Sequence, residues 1–331
     1  MSRILLLTAH SIAEFDDLRM LHEIGHEVMS IGAYLDPARP QDDKRPALPE
    51  VPPAPKELTD LVVGDQIQFK GHLPDAILDW AEIVICHHFT YDWVGGQWGK
   101  LRDHGCRVIW RTCGQTSPQL EQFMEYLRPE GLQIVRYSPK ERFNGPWFAG
   151  QDALIRFGMD PDEFSGWHGS EAVVGNVTQD MVNRADACGL DFWLEATGEI
   201  ARKPAGPNSQ LLPDGIGALT YEGLREYLRS IRTMLYTGTL PAPYTLGLIE
   251  AMMTGVPVVS IGKQAWGLPD LFEGSEITGL SSNTPDGAKA LLLAFLNDPA
   301  FARAESNRQR ERAIDLFGMP KIREQWRAFL A

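Results

Sequence analysis

Residues 236–259 read YTGTLPAPYTLGLIEAMMTGVPVV, and this stretch decides the predicted fold of the chain. The segment opens as a strand that must turn at Pro241 and Pro243, because proline cannot continue a strand. From Thr245 onward the apolar side chains recur at helical spacing, which predicts a short helix with Glu250 away from its apolar face.

Gly255 and Pro257 end this helix, since glycine accepts the left-handed cap and proline blocks continuation. The apolar run at 256–261 then predicts a strand buried on both faces, as in a parallel sheet covered by helices. The N-terminus of the helix therefore opens at the carboxyl end of a parallel strand. Its N–H groups and dipole suit a phosphate, and Glu250, two turns in, could reach a ribose. The same pattern also fits an ordinary β-α-β unit without a ligand.

Length and charge limit the possible classes of protein. A chain of 331 residues favours two domains of about 160 residues each. Residues 1–160 carry 16 basic and 23 acidic side chains, and the remainder carry 15 and 21, so the net charge of −13 is evenly spread. No half of the chain is basic, which disfavours nucleic acid or an anionic membrane as partner. No apolar run reaches the roughly 18 residues that span a bilayer.

The four cysteines show no CxxC spacing and lie in apolar surroundings, which predicts reduced thiols in a cytoplasmic protein. The N-terminal run around Leu5 predicts a first strand and not a signal peptide, because acidic residues follow too soon.

In the first half, polar residues follow two apolar strands at their carboxyl ends, where open α/β sheets bind ligands. His87 and His88 end one strand, and Arg111, Thr112 and Gln115 end the next. No further ligand at metal spacing follows the histidines, so no metal is predicted. A half-buried, hydrogen-bonded structural role is expected for one histidine of the pair. A Gly-x-Gly-x-x-Gly fingerprint is absent, which argues against a dinucleotide site.

Two features of the first half have several interpretations. Seven prolines between 37 and 55 predict a long, flexible surface loop, with an acceptor-side role as the less favoured alternative. Tryptophans at 93, 98, 110 and 147 lie near strand or loop ends, where aromatic faces can pack against sugars. Core packing is the favoured role for these tryptophans.

In the second half, apolar patterns predict strands at 171–176, 192–198 and 232–237, with a Pro/Gly loop at 199–215. Helices are predicted at 288–297 and 317–330.

The opening stretch resembles the nucleotide-sugar motif of retaining GT-B glycosyltransferases, in which Glu, seven residues and Glu precede Ala-Met-x-x-Gly-x-Pro-Val-Val. Glu250-Ala251-Met252 and 255–259 match the second half of that motif. Where the family has its first Glu, this chain has Ala242. Where the family has the Arg and Lys that hold a diphosphate, it has Asn176 and Met181.

The resemblance covers the whole chain, strongly at 215–296. It implies an α/β fold of two Rossmann-like domains facing across a cleft: an acceptor-side domain at 1–165 and a nucleotide-sugar domain at 166–331. The last helix, at about 317–330, would cross back to the first domain.

The implied function is transfer of a sugar from a nucleotide sugar to an unknown acceptor, with retention and without a metal or other cofactor. The predicted catalytic residues are His88 and Arg111, and the predicted acceptor-side residues are His10, Thr112 and Gln115, all from the first half of the chain. The predicted donor-binding residues are Tyr244, Thr245, Leu246, Gly247 and Glu250, with Arg184 and Lys263 as candidate replacements for the missing cations. Without such a replacement, the protein would use a different donor. The alternatives are a nucleotide-sugar epimerase or phosphorylase, a non-catalytic binding protein and, less favoured by the charge, an enzyme that glycosylates a modified DNA base.

Overall fold

The computed structural model describes residues 1–8, 10–32, 45, 55, 57–58, 61, 71–87, 90–114, 116–143, 145–261 and 269–331. The chain forms two compact units, one of Met1–Ile155 with Arg323–Ala331 and one of Arg156–Ile322. The first unit thus ends ten residues before the predicted boundary at 165/166. The roles predicted for the two domains stay predictions.

The first unit contains a six-stranded parallel sheet with strand order β2-β1-β3-β4-β5-β6. Its strands are β1 Arg3–Thr8, β2 Glu27–Ile31, β3 Ile83–His87, β4 Arg107–Arg111, β5 Gln133–Arg136 and β6 Ala153–Leu154. Its helices are α1 Ser11–Glu23, α2 Asp75–Trp80, α3 Tyr91–Asp103 and α4 Pro118–Leu127.

The second unit contains a five-stranded parallel sheet with strand order β11-β10-β9-β7-β8. Its strands are β7 Glu171–Val177, β8 Arg202–Ala205, β9 Ile231–Tyr236, β10 Val258–Ile261 and β11 Ser281–Ser282. The helices that follow in the chain are α5 Ala185–Cys188, α6 Leu190–Thr197, α7 Tyr221–Ser230, α8 Leu246–Thr254, α9 Pro285–Asn297, α10 Pro299–Phe317 and α11 Met319–Leu330.

Both sheets are wound in the same way. In each, the first strand in the chain lies between the second and the third: β1 between β2 and β3, and β7 between β8 and β9. Strand order therefore reverses beside the first strand of each sheet. In open α/β sheets, ligands bind outside the carboxyl ends of the strands at this reversal point.

The end of α11 belongs to the first unit, in agreement with the predicted return of the terminal helix. The Arg107 guanidinium, at the start of β4, donates hydrogen bonds to the carbonyls of Phe329 at 2.8 Å and Leu330 at 3.3 Å. The predicted α/β class with two parallel sheets is confirmed.

Two predictions in the second half are wrong. Residues 192–198 were expected to form a strand, but Leu190–Thr197 is a helix whose buried Trp193, Ala196 and Thr197 recur at helical spacing. A short apolar run does not distinguish a buried strand from a buried helix. The predicted loop at 199–215 contains β8, whose residues Arg202–Ala205 pair with β7.

A buried ion network fixes the chain after β5. Arg136 donates two hydrogen bonds of 2.7 Å to the Glu121 carboxylate of α4 and a third, of 3.3 Å, to Glu141. Glu141 also accepts from the backbone N–H groups of Tyr137 and Ser138. Burial raises the pKa of Glu141 despite these favourable partners. The Arg136 charge is therefore the main compensation for two buried carboxyl groups.

We expect Arg136→Met to lower the free energy of unfolding by about 3–5 kcal/mol, because it leaves two buried carboxylates without a cation. Arg102→Met is the control: Arg102 pairs with Glu130 at the surface, with both side chains more than a third exposed, and should cost about 1 kcal/mol or less. Urea unfolding measures both. Similar losses in the two variants would contradict the role of Arg136.

Candidate functional site

In the second unit, the N-terminus of α8 lies at the point where strand order reverses. The chain leaves β9 at Tyr236, and α8 begins at Leu246. A Cβ added to Gly247 would lie 3.0 Å from the carbonyl oxygen of Val177, the last residue of β7. The first turn of α8 therefore packs closely against the carboxyl end of β7, and glycine permits this approach.

The first turn of α8 has no side-chain cap from its own N-cap residue. Thr245 is extended, with φ −119° and ψ 161°, and its side chain makes no capping hydrogen bond. Helices α4, α7 and α9, by contrast, are capped by a Ser or Thr side chain. An N-terminus of this kind presents N–H groups and the positive end of the helix dipole, which suit an anion.

Glu250 is buried, with 4% of its surface exposed. The apolar face of α8 is wider than the sequence pattern predicted, since every residue from Leu248 to Thr254 is buried. The helix end at Gly255, with φ +102°, is as predicted. A role for Glu250 in binding ribose stays a prediction.

Tyr244 lies in the core. Its ring packs edge-on against Phe157 and Phe317, with centroid separations of 6.3 and 5.2 Å, and the residue is 1% exposed. It fixes the loop that leads into α8.

The two positions where the resemblance expects cations are neutral and buried. Asn176 donates from its side chain to the carbonyl of Leu235 at 3.0 Å, and Met181 is buried. Arg184, half-buried, donates to the carbonyl of Gln179 in the loop after β7, at 3.5 Å. Lys263 lies outside the described residues.

In the first unit, Asp17 of α1 connects the carboxyl ends of β3 and β4. One of its oxygens lies 2.8 Å from Nδ1 of His87, and the other lies 3.2 Å from the Arg111 guanidinium. The Arg111 guanidinium also lies over the ring of Trp326, 5.0 Å from its centroid. His10 follows β1 and caps α1, its Nδ1 accepting from the backbone N–H of Ala13 at 3.3 Å.

Burial and neighbouring charges together set the pKa values of Asp17 and His87. Burial alone would raise the pKa of Asp17, but Arg111 and His87 more than offset it, so the pKa of Asp17 is lowered. Burial lowers the pKa of His87 despite its hydrogen bond to Asp17. The favoured state is an ionised Asp17 that accepts a hydrogen bond from a neutral His87 and forms an ion pair with Arg111.

The two-unit architecture recurs in solved structures. HepE of Anabaena, in complex with UDP-glucose, has a TM-score of 0.67 and 13% identity over 100% of this chain and 99% of that chain. A glycosyltransferase of Rickettsia africae ESF-5 has a TM-score of 0.69 and 10% identity over 99% of this chain and 97% of that chain. A TarM variant of S. aureus, in complex with UDP, has a TM-score of 0.56 and 12% identity over 74% of this chain and 54% of that chain. No family model and no curated protein match the sequence.

The chain has the GT-B fold.

The GT-B sheet of the first unit brings together some predicted site residues. Arg111 and His10 both lie at its carboxyl edge. Arg111 and Thr112 are both buried, and the Thr112 hydroxyl donates to the carbonyl of Val135 at 3.3 Å. His88 and Gln115 lie outside the described residues. Their predicted roles, and those of Arg111, His10 and Thr112, stay predictions.

Sequence reasoning missed Asp17. It is 70 residues from His87 in the chain, and no local pattern marks the contact. His87 was considered only as one of a pair of histidines, and the structure gives it the structural, hydrogen-bonded role.

In the described part of the chain, no group of three or more His, Cys, Asp or Glu side chains could hold a metal ion. No helix there is long and apolar enough to cross a membrane. The four cysteines are free.

We expect His87 to make the protein less stable as pH falls from 7 to 5. Its folded pKa lies below the ordinary 6.5, so below about 6.5 the unfolded chain binds a proton that the folded chain does not, and stability rises with pH. His87→Asn retains an N–H donor for Asp17 but cannot titrate, so its Tm should fall less over this range.

His168→Asn is the control, because the His168 side chain is 47% exposed. His26, whose pKa is also lowered by burial, is present in both variants and gives them a common background slope. An unchanged pH slope in His87→Asn would contradict the prediction.

Proposed function

We propose that this chain transfers a sugar from a nucleotide sugar to an acceptor, and that the second unit binds the donor at the N-terminus of α8. The observation that carries the proposal is this uncapped first turn, packed against the end of β7 where strand order reverses. Phosphate is the ligand chemistry that such a turn favours.

The surrounding residues support a nucleoside diphosphate. Arg184 lies in the loop that follows β7, whose end contacts the first turn of α8. Glu250 lies on the same helix, one turn further on, where a carboxylate would accept from ribose hydroxyls. Because HepE has been solved with UDP-glucose, uridine nucleotides are the first donors to test.

The finer parts of the proposal come from the sequence resemblance. They are retention at the transferred carbon and independence of metal ions. The roles proposed for His88 and Arg111 in the chemistry, and for His10 on the acceptor side, rest on their positions at the ends of strands in the first half. Analysis of the product anomer by NMR tests retention.

A second candidate is a protein that binds a nucleotide sugar without transferring it. Ala242, Asn176 and Met181 favour this candidate, since all three are buried and neutral where the resemblance expects charge. No observation favours an epimerase, a phosphorylase or a DNA-modifying enzyme.

We expect UDP and UDP-sugars to raise the Tm, and at least one UDP-sugar to release UDP. At 100 times its Kd, a ligand adds about 2.7 kcal/mol of stability, which a thermal-shift assay detects. Treatment with EDTA should leave UDP release unchanged. Binding without release would favour the second candidate, and no response to any nucleotide or nucleotide sugar would reject both.

Glu250→Gln tests ribose recognition. If Glu250 accepts from ribose hydroxyls, the wild-type protein should bind UDP about tenfold more tightly than 2′,3′-dideoxy-UDP, and the variant should lose most of that preference. Glu226→Gln is the control, since Glu226 is an exposed residue of α7. Calorimetric titration measures the affinities of UDP and of 2′,3′-dideoxy-UDP for the wild type and for Glu250→Gln. These four values complete a double-mutant cycle. A preference that survives in Glu250→Gln would remove Glu250 from the ribose site.

A further inference from the structure

In the second unit, a buried ion pair joins two residues that are 114 positions apart in the chain. Arg156 donates from its guanidinium to the Asp270 carboxylate at 2.5 Å. The Arg156 side chain is 16% exposed and that of Asp270 is 3% exposed. The pair is therefore screened from bulk water, with its cation at the more accessible end.

Arg156 also reaches the loop that leads into α8. Its guanidinium is a hydrogen-bond partner of the Tyr244 side chain, and Tyr244 directly precedes the N-cap residue of α8. The guanidinium lies 5.7 Å from the centroid of the Phe317 ring, against which Tyr244 itself packs. These contacts hold a positive charge against the loop that leads into α8.

A nucleoside diphosphate needs such a charge. Its phosphates carry at least two negative charges, and charge developing on a leaving diphosphate is stabilised by fixed cations. Asn176 and Met181 supply none. A guanidinium has five N–H donors in a planar fork, a geometry that serves carboxylate and phosphate oxygens together.

We propose that Arg156 binds the diphosphate of the donor, and that Asp270 holds Arg156 in place and competes with the phosphates for it. This inference rests on the proposed function, because it names a residue that binds the donor. Before the nucleotide binds, the Asp270 carboxylate balances the positive charge of Arg156, because an unpaired buried charge is costly. When the diphosphate binds, it shares the guanidinium with Asp270.

The two members of the pair should then act in opposite directions on nucleotide affinity. Arg156→Met should weaken UDP binding about tenfold or more and leave uridine binding unchanged, because only UDP carries phosphates. Arg156→Lys should retain part of the affinity as a point charge. Asp270→Asn should strengthen UDP binding severalfold, since it removes the competing carboxylate.

The experiment measures the affinities of UDP and uridine for each variant by calorimetry and ligand-observed NMR, after circular dichroism confirms folding. Arg225→Met and Glu222→Gln are matched controls, because these residues form an ion pair on α7 of the same unit. The control variants should leave the ratio of the UDP and uridine affinities unchanged. If Arg156→Met does not fold, the UDP and uridine affinities of Arg156→Lys and Asp270→Asn still test the inference.

If the pair were purely structural, these variants would have a lower Tm but an unchanged ratio of UDP affinity to uridine affinity. That result would overturn the inference. UDP binding by the wild type would still support the proposed function. Weaker UDP binding in Asp270→Asn would overturn the competition between Asp270 and phosphate. Failure of the wild type to bind UDP or any other nucleoside diphosphate would reject the proposed function itself.

Discussion

The reversal of strand order beside the first strand of each sheet is the constraint on which the candidate site depends. Loops that leave neighbouring strands in opposite directions open a crevice at the carboxyl edge. In the first unit this reversal, between β1 and β3, sets His10 and Asp17 after one strand and His87 at the end of the other. In the second unit, the reversal between β7 and β9 sets the first turn of α8 against Val177. The same strand order in both units thus places these polar residues at the carboxyl edges of the two sheets.

Buried ion pairs then fix the loops at these edges. Asp17 connects α1 to the ends of β3 and β4, Arg136 connects β5 to α4, and Arg156 connects the entry to the second unit with Asp270. Ion pairs of this kind are weak evidence for net stability, because removing charges from water offsets most of their attraction. Their effect is geometric: breaking one pair leaves a buried charge, so each loop has one favoured arrangement. The proposed phosphate site would benefit from loops held in one arrangement.

Local patterns predicted α8, its end at Gly255 and the parallel strand that follows, because helix caps and apolar spacing are properties of adjacent residues. The same approach failed at Leu190–Thr197, where a short apolar run suits either a strand or a helix and packing decides between them. It also could not find the partners of the buried charges. Asp17 and His87 are 70 residues apart, and Arg156 and Asp270 are 114 apart. Arg111 could be recognised as a residue at a sheet edge, but its burial beneath Trp326 depends on the return of the terminal helix.

The acidic composition does not prevent a nucleoside diphosphate from binding. At physiological ionic strength, charges more than about 8 Å apart at the surface are largely screened, so the net charge of −13 acts weakly on a ligand at one edge. For the proposed donor site, three sources of positive charge are available: the N-terminus of α8, equivalent to about half a positive charge, Arg184 in the loop after β7, and Arg156, which is paired with Asp270. Neutral residues at 176 and 181 are compatible with the proposed phosphate binding, because other segments of the second unit supply positive charge.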